Sequence, residues 1–179
     1  MNNSINIAVV GLGQVGIYLL NELNTKKKEI ELKTGKKINV VAVSAKNINK
    51  KRQFKVNKKI FFKNPLEIFN KKKVDILFEA IGLSDGISKK VVETALKKKI
   101  HVITPNKALI SKHGNELAKI AELNNVNLEF EASVAGGIPI LRSIKEGLAT
   151  NKISKVYGIL NGTSNYILSE MENSNQSFS

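Results

Sequence analysis

With 179 residues, 42% of them hydrophobic, the chain can bury a core and has the length of one full domain, or of one domain plus part of another. It holds no cysteine and only two histidines, His101 and His113, which excludes disulfides and thiolate metal sites and leaves catalysis to lysine, carboxylates or hydroxyls. The net charge of +14 is spread as short lysine runs at 26–28, 71–73 and 97–99, where helices are expected to end, and with 6% aromatic residues this reads as a solvated rim, not a nucleic-acid interface.

In chain order, residues 5–10 form a compact apolar strand, followed from about Gln14 by a helix with Val15, Tyr18, Leu19 and Leu23 on one face, running toward a C-cap at Gly35. Residues 38–44 are a second strand. Residues 46–63 are basic and aperiodic, a loop with room for a short strand, and Pro65 suits the first turn of a brief helix. A strand over 74–79 leads to a helix from Asp85 or Gly86 with Val91, Val92, Ala95 and Leu96 inward. A strand over 100–104 precedes a short helix, a break at Gly114, and a second helical piece carrying Leu117, Ile120, Ala121 and Leu123. A fifth strand spans 126–131. This alternation predicts an α/β fold, a doubly wound parallel sheet of Rossmann type. Past it come a small-residue turn at 133–139, a helix over 140–149, a strand over 153–160 and a helix from Thr163. The polar tail from Asn173 cannot close a sheet, so the second domain is expected to be incomplete. No apolar run has bilayer length and the first residues lack a secretion signal, so the expected location is cytoplasmic, without membrane partners.

The chemistry begins at Gly11-Leu12-Gly13-Gln14-Val15-Gly16, a G-x-G-x-x-G directly after a strand and opening a helix. Gly11 permits the tight turn, Gly13 lets backbone approach a pyrophosphate, and Gly16 lets helix and strand pack closely. The free N–H groups of the helix start then receive the anion. The end of the second strand selects the cofactor. A carboxylate there would bind a ribose 2′-hydroxyl, but residues 32–66 contain no Asp or Glu. Ser44, Ala45, Lys46 and Arg52 offer hydroxyl, small and cationic groups instead, which favours NADP and leaves NAD as the alternative.

Four further stretches resemble the homoserine dehydrogenase family in order and spacing. They are Glu79-Ala80-Ile81-Gly82, Thr104-Pro105-Asn106-Lys107, the segment from Phe130 to Ile140 containing Ser133-Val134-Ala135-Gly136-Gly137-Ile138-Pro139, and Asn161-Gly162-Thr163-Ser164-Asn165. The resemblance implies NAD(P)-dependent interconversion of L-aspartate 4-semialdehyde and L-homoserine, on the way to threonine and methionine. It implies Lys107 as a catalytic or nicotinamide-contacting residue, with Ile81, Gly82, Thr104 and Asn106 beside the cofactor. It further implies a monovalent cation, typically sodium, on Glu131 and the carbonyls of Val134, Gly136 and Ile138, and a substrate pocket near Asn161, Gly162 and Thr163. On this reading residues 1–132 are the cofactor domain, and residues 133–179 are a hinge and the beginning of an α+β substrate and dimerisation domain. The full-length protein is then expected to be a homodimer. The family's later carboxylate-bearing segment and second lysine are absent from the 179 residues, so the chain alone is expected to turn over poorly. The rival reading is a noncatalytic dinucleotide-binding module with a regulatory role.

Overall fold

A computed structural model of the chain describes residues 3–52, 56–158, 161–175 and 177. Two compact units divide after Gly136. The first is built on six parallel strands: β1 (Ser4–Val10), β2 (Lys37–Ser44), β3 (Phe61–Phe62), β4 (Ile76–Glu79), β5 (His101–Ile103) and β6 (Leu128–Glu129). Their spatial order is β3-β2-β1-β4-β5-β6. The order reverses between β1 and β4, and open α/β sheets bind ligands at the carboxyl ends of strands beside such a reversal.

Alternation along β1 serves both faces of the sheet. Ala8 and Val10 join Ala42, Leu77, Val102 and Leu128 under two helices, α4 (Ile87–Lys97) and α5 (Lys107–Leu123), which contribute Val91, Val92, Ala95, Leu96, Leu109, Leu117 and Ala121. Ile7 and Val9 point the other way and pack with Val43, Ile17 and Leu20 beneath α1 (Gln14–Thr25). Each such large aliphatic side chain contributes about 1.5–3 kcal/mol by leaving water. The inward face expected for α4 is the face observed, and Pro65 opens a 3₁₀ turn that leads into the short helix α3 (Ile68–Lys71).

Three local expectations need correction. The helix after the glycine loop stops at Thr25, and α2 (Lys27–Thr34) carries on to Gly35, a left-handed C-cap with φ 66°. The buried residues of α1 are Gly16, Ile17 and Leu20, with Leu19 and Leu23 packed against the same cluster as expected, while Val15 and Tyr18 are exposed. Gly16 is the reason: a Cβ on it would lie under 3.0 Å from the Gly11 carbonyl oxygen, and this close packing on the Gly16 side leaves Val15 and Tyr18 off the inward face. Next, α5 runs unbroken through Gly114, where an added Cβ would meet only the Ile110 side chain. A mid-helix glycine costs about 1 kcal/mol, which the buried contacts of Leu109, Leu117 and Ala121 outweigh. Finally, residues 153–158 contain no strand. Ile153, Val156 and Tyr157 are exposed there, without the paired neighbour that a strand needs, and residues 159 and 160 lie outside the described set.

The second unit consists of a helical turn α6 (Ile140–Arg142) that widens into π geometry over Ser143–Gly147, and α7 (Gly162–Ser174). None of these elements buries a residue among those described.

Candidate functional site

The carboxyl ends of β1, β2 and β4 surround a groove of about 470 Å³. Gly11, Leu12 and Gly13 form its floor, Ser44, Ala45 and Lys46 lie on the β2 side, and Ile81 lies on the β4 side. The structure thus brings together residues that the sequence reading drew from three separate stretches. Lys63, Pro65, Leu83 and Ile87 also line the groove, and no motif marked them.

The three loop glycines answer three different demands. Gly11 has φ 97°, and a Cβ on it would lie under 3.0 Å from the backbone of Ala80 and Ile81, because the end of β4 passes directly against it. Gly16 faces the Gly11 carbonyl just as tightly. Gly13 differs from both. Its φ is −77° and an added Cβ would meet nothing within 4 Å, so nothing in the protein requires a glycine there. Gly13 lines this groove and also a second hollow along Gln14, Val15 and Tyr18. The first turn of α1 has neither a side-chain cap nor an acidic residue, so its orphan N–H groups stay available to an anion.

Arg52 reaches back over this loop. Its Nε donates to the Leu12 carbonyl at 3.2 Å, Nη1 to the carbonyls of Ile48 and Lys50 at 3.1 and 3.0 Å, and Nη2 to that of Asn47 at 2.6 Å. Most of the guanidinium's donors therefore hold the basic loop to the glycine loop. A larger hollow of about 850 Å³ lies beyond Arg52 along Gln14, Val15 and Tyr18. The smaller groove is the one that joins the three strand ends.

At the neighbouring strand ends the polar side chains turn inward. Glu79 is fully buried: Oε1 accepts from the Ile81 N–H and from Ser88 Oγ, both at 2.8 Å, and Oε2 accepts from Thr104 Oγ1 at 2.6 Å. Asn106 Nδ2 donates to the Leu83 carbonyl at 2.8 Å and lies 3.4 Å from both Glu79 oxygens. Its Oδ1 caps α5 by accepting from the Leu109 N–H at 3.1 Å. Thr104 and Asn106 are thus buried framework residues of the T-P-N-K turn, and Lys107, the first residue of α5, is exposed with its ammonium unpaired among the described residues. The sequence motif Glu79-Ala80-Ile81-Gly82 by itself gives Glu79 no role. Its signal was the strand period: Leu77 is buried, so Glu79 two residues on shares the buried face.

In the second unit Asn161 caps α7, its side chain accepting from the Ser164 N–H at 3.0 Å. Among the described residues no cluster of three or more His, Asp or Glu could hold a metal ion, and no helix is long and apolar enough to cross a membrane.

Comparison with known proteins covers nearly the whole chain. Residues 11–131 match the family described as homoserine dehydrogenase, NAD binding domain, and residues 139–179 match the family described as homoserine dehydrogenase. The chain is similar to the homoserine dehydrogenases of Neisseria gonorrhoeae, 41% identical over 97% of this chain and 40% of that one, and of Bacillus subtilis, 36% identical over 94% and 39%. Its fold is similar to the crystal structure of a homoserine dehydrogenase from Thiobacillus denitrificans, with a TM-score of 0.84 at 37% identity, covering 98% of this chain and 40% of that one. The chain therefore spans about 40% of the length of these relatives.

Proposed function

The chain belongs to the homoserine dehydrogenase family, its first unit carrying that family's domain for a nicotinamide dinucleotide, and on that premise we propose that it serves the NADP-linked interconversion of L-aspartate 4-semialdehyde and L-homoserine. The observation that carries the cofactor half is Gly13, which lines the groove and has open space where a side chain would stand, so that the fold itself does not need a glycine there. Backbone can approach a pyrophosphate there, while the uncapped N–H groups of α1 neutralise it. The groove's residues fit the group.

NADP is favoured over NAD because Lys46, Lys50 and Lys63 line the groove with Ser44, with no carboxylate among the lining residues to repel a 2′-phosphate. Arg52 supports this indirectly, by holding the loop that carries Lys46 and Lys50. When bound, the dinucleotide supplies or accepts the hydride. Lys107 stands beside the nicotinamide and presents positive charge, and a proton, to the substrate oxygen as its charge changes. Asn161, Gly162 and Thr163 belong to the substrate side. Glu131, with the carbonyls of Val134, Gly136 and Ile138, supplies the hard oxygens that suit a monovalent cation such as sodium. Residues 1–132 act as the cofactor domain and 133–179 as the hinge and opening of the substrate domain, in a cytoplasmic homodimer.

Titrating the 179-residue chain with NADPH and with NADH tests the cofactor assignment. NADPH is expected to bind more tightly, by at least about tenfold for one charge-assisted phosphate contact. Tighter binding of NADH would overturn the preference, and binding of neither would overturn the cofactor reading.

A further inference from the structure

Buried carboxyl groups are usually paired with a cation, because removing an unpaired charge from water is expensive. Glu79 lies fully buried and forms no salt bridge among the described residues. Its acceptor capacity is met by neutral donors from three places: the turn after β4, the first turns of α4, and the loop after β5. Thr104 Oγ1 also accepts from the Asn106 N–H at 3.1 Å, so its own proton is directed to Glu79. Asn106 completes the circuit by donating to the Leu83 carbonyl. A polar network of this kind adds little net stability over an apolar core of the same shape, but it permits one arrangement of its members.

The members are informative. Ile81 and Leu83 are a wall of the cofactor groove, and Asn106 is the cap that fixes where α5, and therefore Lys107, begins. We propose that Glu79 is a positioning residue: its carboxyl locks the groove wall at Ile81 and Leu83 to the Thr104–Asn106 turn, so that the Lys107 ammonium stands at a fixed place relative to the bound dinucleotide. This inference rests on the cofactor reading above. Glu79 itself touches neither dinucleotide nor substrate; it acts through Lys107.

Glu79→Gln keeps the size of the side chain but replaces one acceptor oxygen with an N–H donor. Whichever way the amide turns, one hydroxyl or N–H of the circuit then faces a donor. Three titrations on the 179-residue chain test the consequence. E79Q is expected to weaken NADPH binding by about fivefold, the equivalent of one net hydrogen bond, and K107A by a similar factor. The E79Q/K107A double variant should be no weaker than the weaker single variant, since both remove the same contact. Affinity for ADP-ribose 2′-phosphate, which lacks the nicotinamide, should fall by a smaller factor than NADPH affinity in E79Q, because this ligand loses the groove wall at Ile81 and Leu83 but never had the Lys107 contact. Additive losses in the double variant, equal losses for both ligands, or no loss would overturn the proposal.

Amide hydrogen exchange in the ligand-free chain separates this from failure of the cofactor reading. E79Q should speed exchange at Ile81, Asn106 and Leu109 together, whether or not NADPH binds. A change confined to Ile81 would contradict the lock. If E79Q does not fold, Thr104→Val, which cuts the link at a single hydroxyl, should reproduce these effects and Thr104→Ser should restore wild-type behaviour. The proposal fails if T104V behaves as wild type.

Discussion

Two helix starts sit at the carboxyl end of the same sheet and are built in opposite ways. At α1 the cap is Gly13, with no side-chain bond to the first turn and no acidic residue in it. At α5 the cap is Asn106, buried and tied to Leu109, Leu83, Thr104 and Glu79. The open start leaves N–H groups free, as an anion site needs, and Gly13 keeps the space beside them clear. The tied start spends its cap on the Leu109 N–H and presents Lys107 from a rigid base. Placing a lysine in the first turn opposes the helix dipole, so this residue is not there to stabilise the helix. A binding surface can thus be made by withholding side chains or by locking them, and this fold does both two strands apart.

The largest break in that comparison should come from Gly16→Ala. Its Cβ would fall under 3.0 Å from the Gly11 carbonyl, and backbone on both sides would have to move. A loss of about 3 kcal/mol is expected in urea unfolding. Asn106→Ala should cost about 2 kcal/mol, the upper end for a helix cap, because it also strands the Leu83 carbonyl. Lys107→Ala should leave stability unchanged or raise it by up to about 0.5 kcal/mol, the sign that relief of an unfavourable dipole contact predicts. A clear loss would show that the lysine has a structural role.

The smallest effect sharpens the same contrast at the surface. Asp85, just before α4, bonds Lys112 Nζ at 2.7 Å and His113 Nε2 at 2.9 Å on α5, an exposed counterpart of the buried Glu79 link. The hydrogen bond from Lys112, with those of Ser84 and His113, holds its carboxyl well below the usual carboxylate range. A depressed folded pKa means the contribution is present above the unfolded value of about 3.9 and is lost as pH falls through the folded value. The unfolding midpoints of wild type and Asp85→Asn should therefore differ slightly at neutral pH and converge in acid. Concentrated salt should also bring them together. A gap that widens in acid would contradict the assignment.

Much of this was legible from residues alone. The glycine loop, the strand alternation and the inward face of α4 rest on short-range rules that the fold obeys. What escaped was set by tertiary packing. Val15 and Tyr18 read as an inward stripe because periodicity does not say which stripe faces the sheet; the close approach of Gly16 to Gly11 decided that. Gly114 read as a break because the buried contacts of Leu117 and Ala121 are invisible in a local window. Arg52 does line the groove, but that four carbonyls hold its guanidinium depends on how the basic loop folds back and was not legible. Glu79 had no reading of its own, since its partners lie up to 27 residues away in the chain.

The central claim is that the glycine loop is shaped for a ligand and not for the fold alone, and Gly13→Ala tests it most directly. Its Cβ would enter open space, so the urea midpoint should stay within about 0.5 kcal/mol of wild type. NADPH affinity should fall by at least about tenfold, because the methyl would occupy the approach to the pyrophosphate. Undiminished NADPH binding by a folded G13A chain would contradict the account.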